Sequence, residues 1–218
     1  MGKVDVQFRV TGIEIPADHG YHVMSAISRV VPEIHGDDEV GVHSIGGRLI
    51  GSRRLALTDR SRLTIRLAAE RIGQVLPLAG RPLEIDGRQV RVGVPQTRAL
   101  VSAARLYSRL VVIKGFLESE PFLEAARRQI EAMEIRGEPS LVPQPEIAAA
   151  NREKPTGTRS PYLRRTIRIR DKEVVGFALC VQDLAAEESI RLQEDGIGGR
   201  RRFGCGVFLP ARTQGATT

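Results

Sequence analysis

The pattern of apolar and polar positions predicts several strands and two helices in the first part of the chain. The segment VDVQFRV alternates with period two, which predicts a strand over residues 4–10. Apolar residues at helical spacing then predict a helix from Tyr21 to about Ile34, with Pro32 near its end. The other elements expected here are strands at 40–45, 53–57 and 62–68, a short helix at 69–78, and a hairpin over 82–94 that turns at Asp86-Gly87.

A similar order of elements follows in the second part of the chain. Residues 137–162 are rich in proline, glycine, serine and charge, and are expected to form a loop. Around this loop the expected elements are strands at 106–114, 165–170, 173–181 and 205–209, helices at 121–135 and 183–194, a turn at Asp171-Lys172 and a helix N-cap at Asp183. Each part has the order β-α-β-β-α-β. The sequence therefore predicts an α+β protein with tandem ferredoxin-like domains, residues 1–100 and 101–218, and a C-terminal glycine-rich loop.

The charge of the chain favours a polyanionic partner. Its 218 residues carry a formal net charge of +7 and have a pI of about 10.1, which suits a nucleic acid or an anionic membrane surface. No apolar run in the sequence has the length of a membrane span. The two cysteines lack the spacing of a disulfide framework or a metal site. We therefore expect a cytoplasmic protein that binds nucleic acid and does not associate with a membrane.

Residues 196–210, GIGGRRRFGCGVFLP, combine five glycines with three consecutive arginines. A dinucleotide-binding fingerprint would need a glycine where Arg201 stands, and a P-loop would need Gly-Lys-Ser or Gly-Lys-Thr. A plain helix-to-strand turn explains one or two of the glycines. The whole combination is better explained by phosphate binding, because arginine guanidinium groups form paired hydrogen bonds to phosphate and glycines let backbone N–H groups approach an anion closely. We expect this loop to bind an RNA backbone through Gly196, Gly198, Gly199, Arg200, Arg201, Arg202, Gly204 and Gly206.

A second basic segment lies in the strand expected at 165–170. Arg168 and Arg170 share one face of this strand, and Arg164 and Arg165 precede them. The alternatives are a solvated outer face and a groove for an RNA stem. In the second case the arginines would add affinity and salt dependence more than sequence preference.

The four histidines, His19, His22, His35 and His43, all lie in the first part of the chain. Zinc is disfavoured because the cysteines are distant and the His19-His22 pair lacks the glutamate of H-E-x-x-H. We expect no metal and no other cofactor. Imidazole, with an ordinary pKa of about 6.5, instead suits proton transfer during attack of an RNA 2′-hydroxyl on the adjacent phosphate.

Two segments resemble a known family. The loop follows G-x-G-x-x-R-x-x-G-x-G-x-F from Gly196 to Phe208, and IPADHGYHVMSAISRVVPEIH is similar to the family's first helix. The chain resembles the repeat-associated mysterious proteins (RAMP superfamily) of CRISPR systems, and among them the endoribonucleases that cut CRISPR precursor RNA within its repeats. The Asp-His-Gly-Tyr form at Asp18–Tyr21 is similar to the Myxan subtype.

This resemblance implies a metal-independent endoribonuclease that leaves 5′-hydroxyl and 2′,3′-cyclic phosphate ends. It places the catalytic histidine just after the first helix, at His35, with His43 and then His19 as further candidates. Ser28 lies seven residues before His35, roughly where the family carries a tyrosine or serine partner. Because residues 36–45 contain no lysine or arginine, the cation that stabilises the phosphate is expected from Arg48, Arg53 or Arg54.

CRISPR repeat RNA is therefore the expected partner. The alternative is a non-catalytic scaffold that binds RNA together with other subunits of a CRISPR effector complex. An unrelated basic RNA-binding module is the third interpretation. The histidine cluster favours the enzyme.

Overall fold

The computed structural model describes residues 2–144 and 160–211. The chain folds into two compact units. The first comprises Met1–Leu100, Ile167–Glu173 and Arg200–Gly204, and the second comprises Val101–Thr166, Val174–Gly199 and Cys205–Thr218. The basic strand and the glycine-rich loop, both assigned to the second domain from the sequence, are thus each divided between the units. None of the helices in the described part of the chain has the length and apolarity of a membrane-crossing segment.

The first unit contains two antiparallel sheets and one long helix. Its elements are β1 (Lys3–Thr11), β2 (Glu14–Pro16), α1 (Gly20–Val30), β3 (Gly41–Val42), β4 (Arg48–Leu49), β5 (Arg54–Ala56), β6 (Arg62–Ala68), α2 (Ile72–Val75), β7 (Pro82–Ile85) and β8 (Arg88–Ala99). The main sheet has the order β3-β6-β1-β8-β7, and a small sheet has the order β2-β5-β4. The β7–β8 turn lies at Asp86-Gly87 as predicted, and both residues have positive φ.

The core of this unit lies between the main sheet and α1. Val6, Phe8 and Val10 alternate along β1 and are buried, as the period of two predicts. Val23 and Ile27 on α1 are buried in the same cluster. Full burial of each such side chain stabilises the fold by roughly 1.5–3 kcal/mol.

The predicted first helix is shorter than expected. α1 ends at Val30 and is followed by a 3-10 turn at Pro32–Ile34, rather than continuing to Ile34. Proline restricts the residue before it to extended conformations, and Val31 has φ −128° and ψ 79°. As a result His35 follows a separate tight turn and is exposed to solvent.

The second unit is built on one antiparallel sheet. Its elements are β9 (Leu106–Val111), α3 (Ser119–Ala132), β10 (Glu138–Leu141), β11 (Arg164–Ile169), β12 (Lys172–Gln182), α4 (Ala186–Asp195) and β13 (Leu209–Pro210). The sheet order is β10-β12-β9-β13, with β11 also paired to β12. In its core Phe122 and Phe177 pack with their ring centroids 4.9 Å apart and their planes tilted by 54°.

Several predicted boundaries in this part were wrong. The expected loop at 137–162 contains β10, and its residues 145–159 lie outside the described residues. The β11–β12 turn lies at Arg170-Asp171, one residue earlier than predicted. α4 begins at Ala186, where Glu188 accepts a hydrogen bond from the Ala185 N–H at 2.9 Å, so Asp183 is not its N-cap. The last strand contains only Leu209–Pro210.

Gly20 allows the chain to approach the start of α1 closely. A Cβ at this position would lie 2.3 Å from the carbonyl oxygen of Phe203 and 2.8 Å from Cδ1 of Ile167. We expect Gly20→Ala to lower the free energy of unfolding by about 1–3 kcal/mol, because the backbone at Phe203 must move. Urea unfolding measures the change. Gly73→Ala is the control: its Cβ meets nothing within 4 Å, so a comparable loss there would contradict the steric explanation.

Candidate functional site

A cleft in the first unit brings the end of α1 together with two basic segments. Its volume is about 760 Å³. Ser28, Arg29 and His35 contribute one side, and Arg170, Lys172 and Arg200 contribute another. The cleft therefore combines one histidine with several cationic side chains.

His35 and Ser28 form the polar pair of this cleft. The Nδ1 atom of His35 lies 3.3 Å from the Ser28 Oγ. The Ser28 hydroxyl donates its own hydrogen to the Met24 carbonyl at 2.9 Å. The Ser28 Oγ is consequently the acceptor for an Nδ1–H, which leaves the other ring nitrogen, Nε2, for proton exchange.

Four cationic side chains line the cleft without an acidic partner among residues 2–144 and 160–211. They are Arg29, Arg170, Lys172 and Arg200. Arg29 and Lys172 were not singled out from the sequence as site residues. The available signal for Arg29 was its position beside Ser28 on α1, at the edge of the polar face of an amphipathic helix.

His19 is a structural residue in the first unit. Its side chain is 2% exposed. Nδ1 lies 2.9 Å from the Pro16 carbonyl oxygen, and Nε2 accepts the Ile45 N–H at 2.9 Å. Both ring nitrogens are thus occupied by backbone groups. The imidazole ties the loop before α1 to the chain after β3, so His19 is not available as an acid or base.

His43 is buried beside an ion pair. Its Nε2 lies 3.4 Å from Asp5 Oδ1, and Arg66 binds the same carboxylate at 2.7 and 2.9 Å. Burial lowers the pKa of His43, although the contact with Asp5 acts in the opposite direction. Burial by itself raises the pKa of Asp5, but His43 and Arg66 together hold it well below its ordinary value. The lowered pKa favours the neutral imidazole, and His43 lies in the interior, outside the cleft.

The pH dependence of stability should reveal this burial. Below about pH 6.5 the unfolded chain protonates residue 43, whereas the folded protein, with its lowered pKa, takes up this proton only at a lower pH. The free energy of unfolding should therefore fall as the pH drops from 6.5, by at most about 1.4 kcal/mol per pH unit from this group. His43→Gln should show a shallower fall in urea titrations between pH 7 and 5. An unchanged slope would contradict a neutral buried His43.

The cations expected from the sequence near His35 lie elsewhere in the first unit. Arg48 is exposed on β4, and Arg53 is exposed in the β4–β5 turn with a positive φ of 55°. Arg54 forms an ion pair with Glu14. Arg53 and Arg54 border a separate depression of about 390 Å³. None of the three lines the cleft, because the β4–β5 hairpin belongs to the small sheet.

The basic strand is split by the structure. Arg164 and Arg165 belong to the second unit, whereas Arg168 and Arg170 belong to the first. The backbone N–H of Arg168 donates to Asp18 Oδ2 at 2.7 Å. Of the four, Arg170 lines the cleft with His35.

The glycines of the loop have structural roles. Four of them adopt positive φ: Gly196, Gly198, Gly204 and Gly206. The N–H groups of these four and of Gly199 already donate to protein oxygens at 2.7–3.0 Å, namely those of Leu192, Gln129, Val112, Arg201 and Leu110. The plain-turn explanation therefore accounts for more of the glycines than expected, and these N–H groups do not form an open anion cradle.

The three loop arginines differ in their contacts. Arg200 is exposed at the cleft. Arg201 donates to the Asp38 carbonyl oxygen at 2.7 Å, and Arg202 donates to Asp38 Oδ1 at 2.5 Å. Arg202 also lies over the Phe203 ring, 5.1 Å from its centroid. Arg200 and Arg202 both line the cleft, and of these two Arg200 is the one without an acidic partner among the described residues.

The described residues contain no group of three or more histidine, cysteine, aspartate or glutamate side chains arranged to hold a metal ion. The side chains that line the cleft supply one imidazole, the hydroxyls of Tyr21, Ser25 and Ser28, the Asp171 carboxylate and several cations. This combination suits proton transfer beside an anionic group.

Comparison with solved structures defines the class of fold. The chain resembles the structure titled "An RAMP protein binding different RNA substrates", with a TM-score of 0.68, 14% identity, and coverage of 94% of this chain and 98% of that chain. It also resembles that titled "Characterization of a Cas6-related gene from Pyrococcus furiosus", with a TM-score of 0.65, 13% identity, and coverage of 98% and 100%. At these identities the likeness concerns the fold, which is the α+β fold of RAMP proteins.

Sequence comparison identifies the family. The family model described as "Cas6 Crispr" matches residues 4–213. The chain is 38% identical over 207 residues to the "CRISPR-associated endonuclease Cas6" of Myxococcus xanthus (strain DK1622), which covers 95% of this chain and 81% of that protein. The chain therefore belongs to the Cas6 family. This confirms the resemblance drawn from the glycine-rich loop and the Asp-His-Gly-Tyr segment.

Proposed function

We propose that this protein is a metal-independent endoribonuclease that cuts CRISPR precursor RNA within its repeats. The observation that carries the proposal is the exposed His35 imidazole, 3.3 Å from the Ser28 Oγ, in a cleft rich in cations. The membership in the Cas6 family and the relative named as an endonuclease support the same activity. CRISPR repeat RNA is the proposed partner.

The reaction uses the nucleophile that RNA itself carries. A base removes the proton of the 2′-hydroxyl, the oxygen attacks the adjacent phosphorus, and an acid protonates the leaving 5′-oxygen. The products are a 2′,3′-cyclic phosphate and a 5′-hydroxyl. We assign one of the two proton transfers to the Nε2 atom of His35. Ser28 is its positioning residue, because the Oγ that accepts the Nδ1–H fixes the ring orientation.

The cleft cations have a separate role in this mechanism. Negative charge builds on the non-bridging phosphate oxygens in the transition state, and cations held beside them stabilise it. Arg29, Arg170, Lys172 and Arg200 line the same cleft as His35. We assign the phosphate contacts of the cleaved nucleotide to this group, in place of Arg48, Arg53 and Arg54.

We also propose that both units are ferredoxin-like. In the first unit the order β3-β6-β1-β8 places the first strand of the motif between the third and the fourth. The order β10-β12-β9-β13 in the second unit follows the same rule. Both observations support a tandem βαββαβ architecture, built mainly from residues 1–100 and 101–218.

The decisive test is incubation of the protein with labelled repeat RNA of its own locus in excess EDTA. We expect one cut within the repeat, a 5′-hydroxyl end and a cyclic phosphate, as determined by end-labelling and mass spectrometry. Cleavage that requires an added divalent metal would overturn the mechanism. Tight binding of the repeat without any cleavage would favour the non-catalytic scaffold instead.

A further inference from the structure

The loop that follows His35 is anchored by two arginines of the glycine-rich loop. Asp38 accepts a hydrogen bond on its carbonyl oxygen from Arg201 at 2.7 Å and one on its carboxylate from Arg202 at 2.5 Å. Only residues 36 and 37 separate His35 from this anchor. All four residues belong to the first unit.

The neighbours of Asp38 are held in the same way. Asp37 forms an ion pair with Arg71, and Glu39 forms one with Lys3 at 3.0 Å. Lys3 is the first residue of β1, and Arg71 lies in the turn that follows β6. The acidic segment Asp37–Glu39 is thus connected to the ends of two neighbouring strands of the main sheet. The His35 ring is in turn connected to α1 through its contact with Ser28.

Gly36, the residue between His35 and the acidic segment, is conformationally unrestricted by its surroundings. Gly36 has a φ of 81°, and a Cβ there would meet nothing within 4 Å. Because no neighbouring atoms pack against Gly36, its backbone torsions are not restricted by contacts. The orientation of His35 therefore depends on the contacts that precede and follow it in the chain. Arg201 and Arg202 supply the C-terminal contact.

The loop that carries the two arginines is itself firmly seated. A Cβ at Gly204 would lie 3.1 Å from Ser44 Oγ and 3.3 Å from the Val42 carbonyl oxygen. At the other side Gly20 admits the Phe203 carbonyl. The segment Arg200–Gly204 is thus packed between β3 and the start of α1. Through the side chains of Arg201 and Arg202 it holds Asp38 in place.

We propose that Arg201 and Arg202 are positioning residues that hold His35 in place through Asp38, and that they are not RNA-phosphate ligands. Their side chains are only 20% and 27% exposed. Asp38 occupies Nη2 of Arg201 and Nη1 of Arg202, so a phosphate could bind at these two nitrogens only by displacing Asp38. The inference rests on the proposed role of His35 in cleavage and adds a function for Arg201, the arginine of the motif, and for the adjacent Arg202.

The two roles predict opposite results for Asp38→Ala. If the arginines position His35, this variant and Arg202→Ala should each slow single-turnover cleavage at saturating RNA by roughly 10- to 100-fold, since small misplacements of a catalytic group are costly. The double variant should be no slower than the slower single variant. RNA affinity, measured in a His35→Ala background, should change less than twofold. Asp38→Asn, which keeps an acceptor oxygen, should retain most of the rate.

If the arginines instead bind phosphate, Asp38→Ala frees the Arg202 guanidinium, whereas Arg201 keeps its bond to the backbone carbonyl of residue 38. RNA should then bind more tightly while cleavage stays at the native rate. Arg202→Ala should then weaken binding and lower the salt slope by about one. That pair of results would overturn the proposal. Arg200→Ala is the matched contrast: it is the adjacent loop arginine without an acidic partner among the described residues, and weaker binding is expected there.

A readout independent of activity separates this proposal from the proposed function. In Asp38→Ala and Arg202→Ala the NMR resonances of the His35 ring should shift and broaden, while those of His22 should not move. If the native protein cuts no repeat RNA but the His35 resonances respond in this way, the endoribonuclease proposal fails and the anchoring remains. Unchanged His35 resonances would refute the anchoring whatever the activity.

Discussion

Replacing His35 with alanine should reduce the rate of RNA cleavage by about 10²- to 10⁴-fold, the usual contribution of a positioned general acid or base. His35 is the histidine that lines the cleft, and its ring is oriented by Ser28 at 3.3 Å. Single-turnover cleavage of labelled repeat RNA, with protein in excess, measures the loss. RNA affinity should remain within about twofold of native, because the cationic side chains of the cleft, and not the His35 ring, bind the phosphates.

His22→Ala is the matched control for this experiment. His22 is also a partly exposed histidine of the same helical region, but its Nε2 lies 3.8 Å from Asp86 and it does not line the cleft. The His22→Ala variant should cleave RNA at the native rate. Ser28→Ala should fall between the two, because it removes the positioning contact and leaves the imidazole. A His35→Ala protein that cleaves normally would refute the proposed mechanism.

Asp5→Ala should cause the largest loss of stability among the changes considered. The Asp5 carboxylate binds the Arg66 guanidinium through two hydrogen bonds at 2.7 and 2.9 Å, and the side chains are only 10% and 3% exposed. Removing the carboxylate takes away the acid that balances the charge of a buried arginine, which costs about 3–5 kcal/mol. Urea unfolding at pH 7 should show this loss, and cleavage at low temperature should persist in the folded fraction.

The control is Asp59→Ala, which breaks the exposed pair between Arg9 of β1 and Asp59. Exposed pairs contribute little, so the loss should be much smaller. Because the pKa of Asp5 is depressed, its contribution is present at neutral pH and is lost as the pH falls below its ordinary value of 3.8. Equal losses for Asp5→Ala and Asp59→Ala would contradict the importance of burial.

The order of elements followed from local patterns. The period-two alternation predicted β1, and helical spacing predicted α1, because each pattern places one apolar face on a core. The turn at Asp86-Gly87 followed from the positive φ that such a two-residue hairpin requires. β10 was missed because Glu138–Leu141 contains proline and lies in a segment whose composition is typical of loops.

The roles of the histidines did not follow from the sequence. His19, His35 and His43 have similar chemistry, and the family resemblance ranked them only by their positions. The structure separates them by burial: His19 and His43 are 2% and 9% exposed, whereas His35 is exposed. Burial depends on which distant strands cover a residue, and this information is not local.

The sequence by itself determined the family, the order of the main helices and strands without the short strands β2, β4 and β10, the basic charge, and the candidate group that contains His35 and Ser28. Motifs, periodicity and composition are properties of short stretches, so they can be recognised without the fold. Only the tertiary structure decided which cations share a cleft with His35 and which are already paired. Asp38 and Arg202, which form a pair at 2.5 Å, lie 164 positions apart in the chain, and no local pattern links them. The partner of a charged side chain is set by folding, because electrostatic and hydrogen-bonding contacts depend on distance in space.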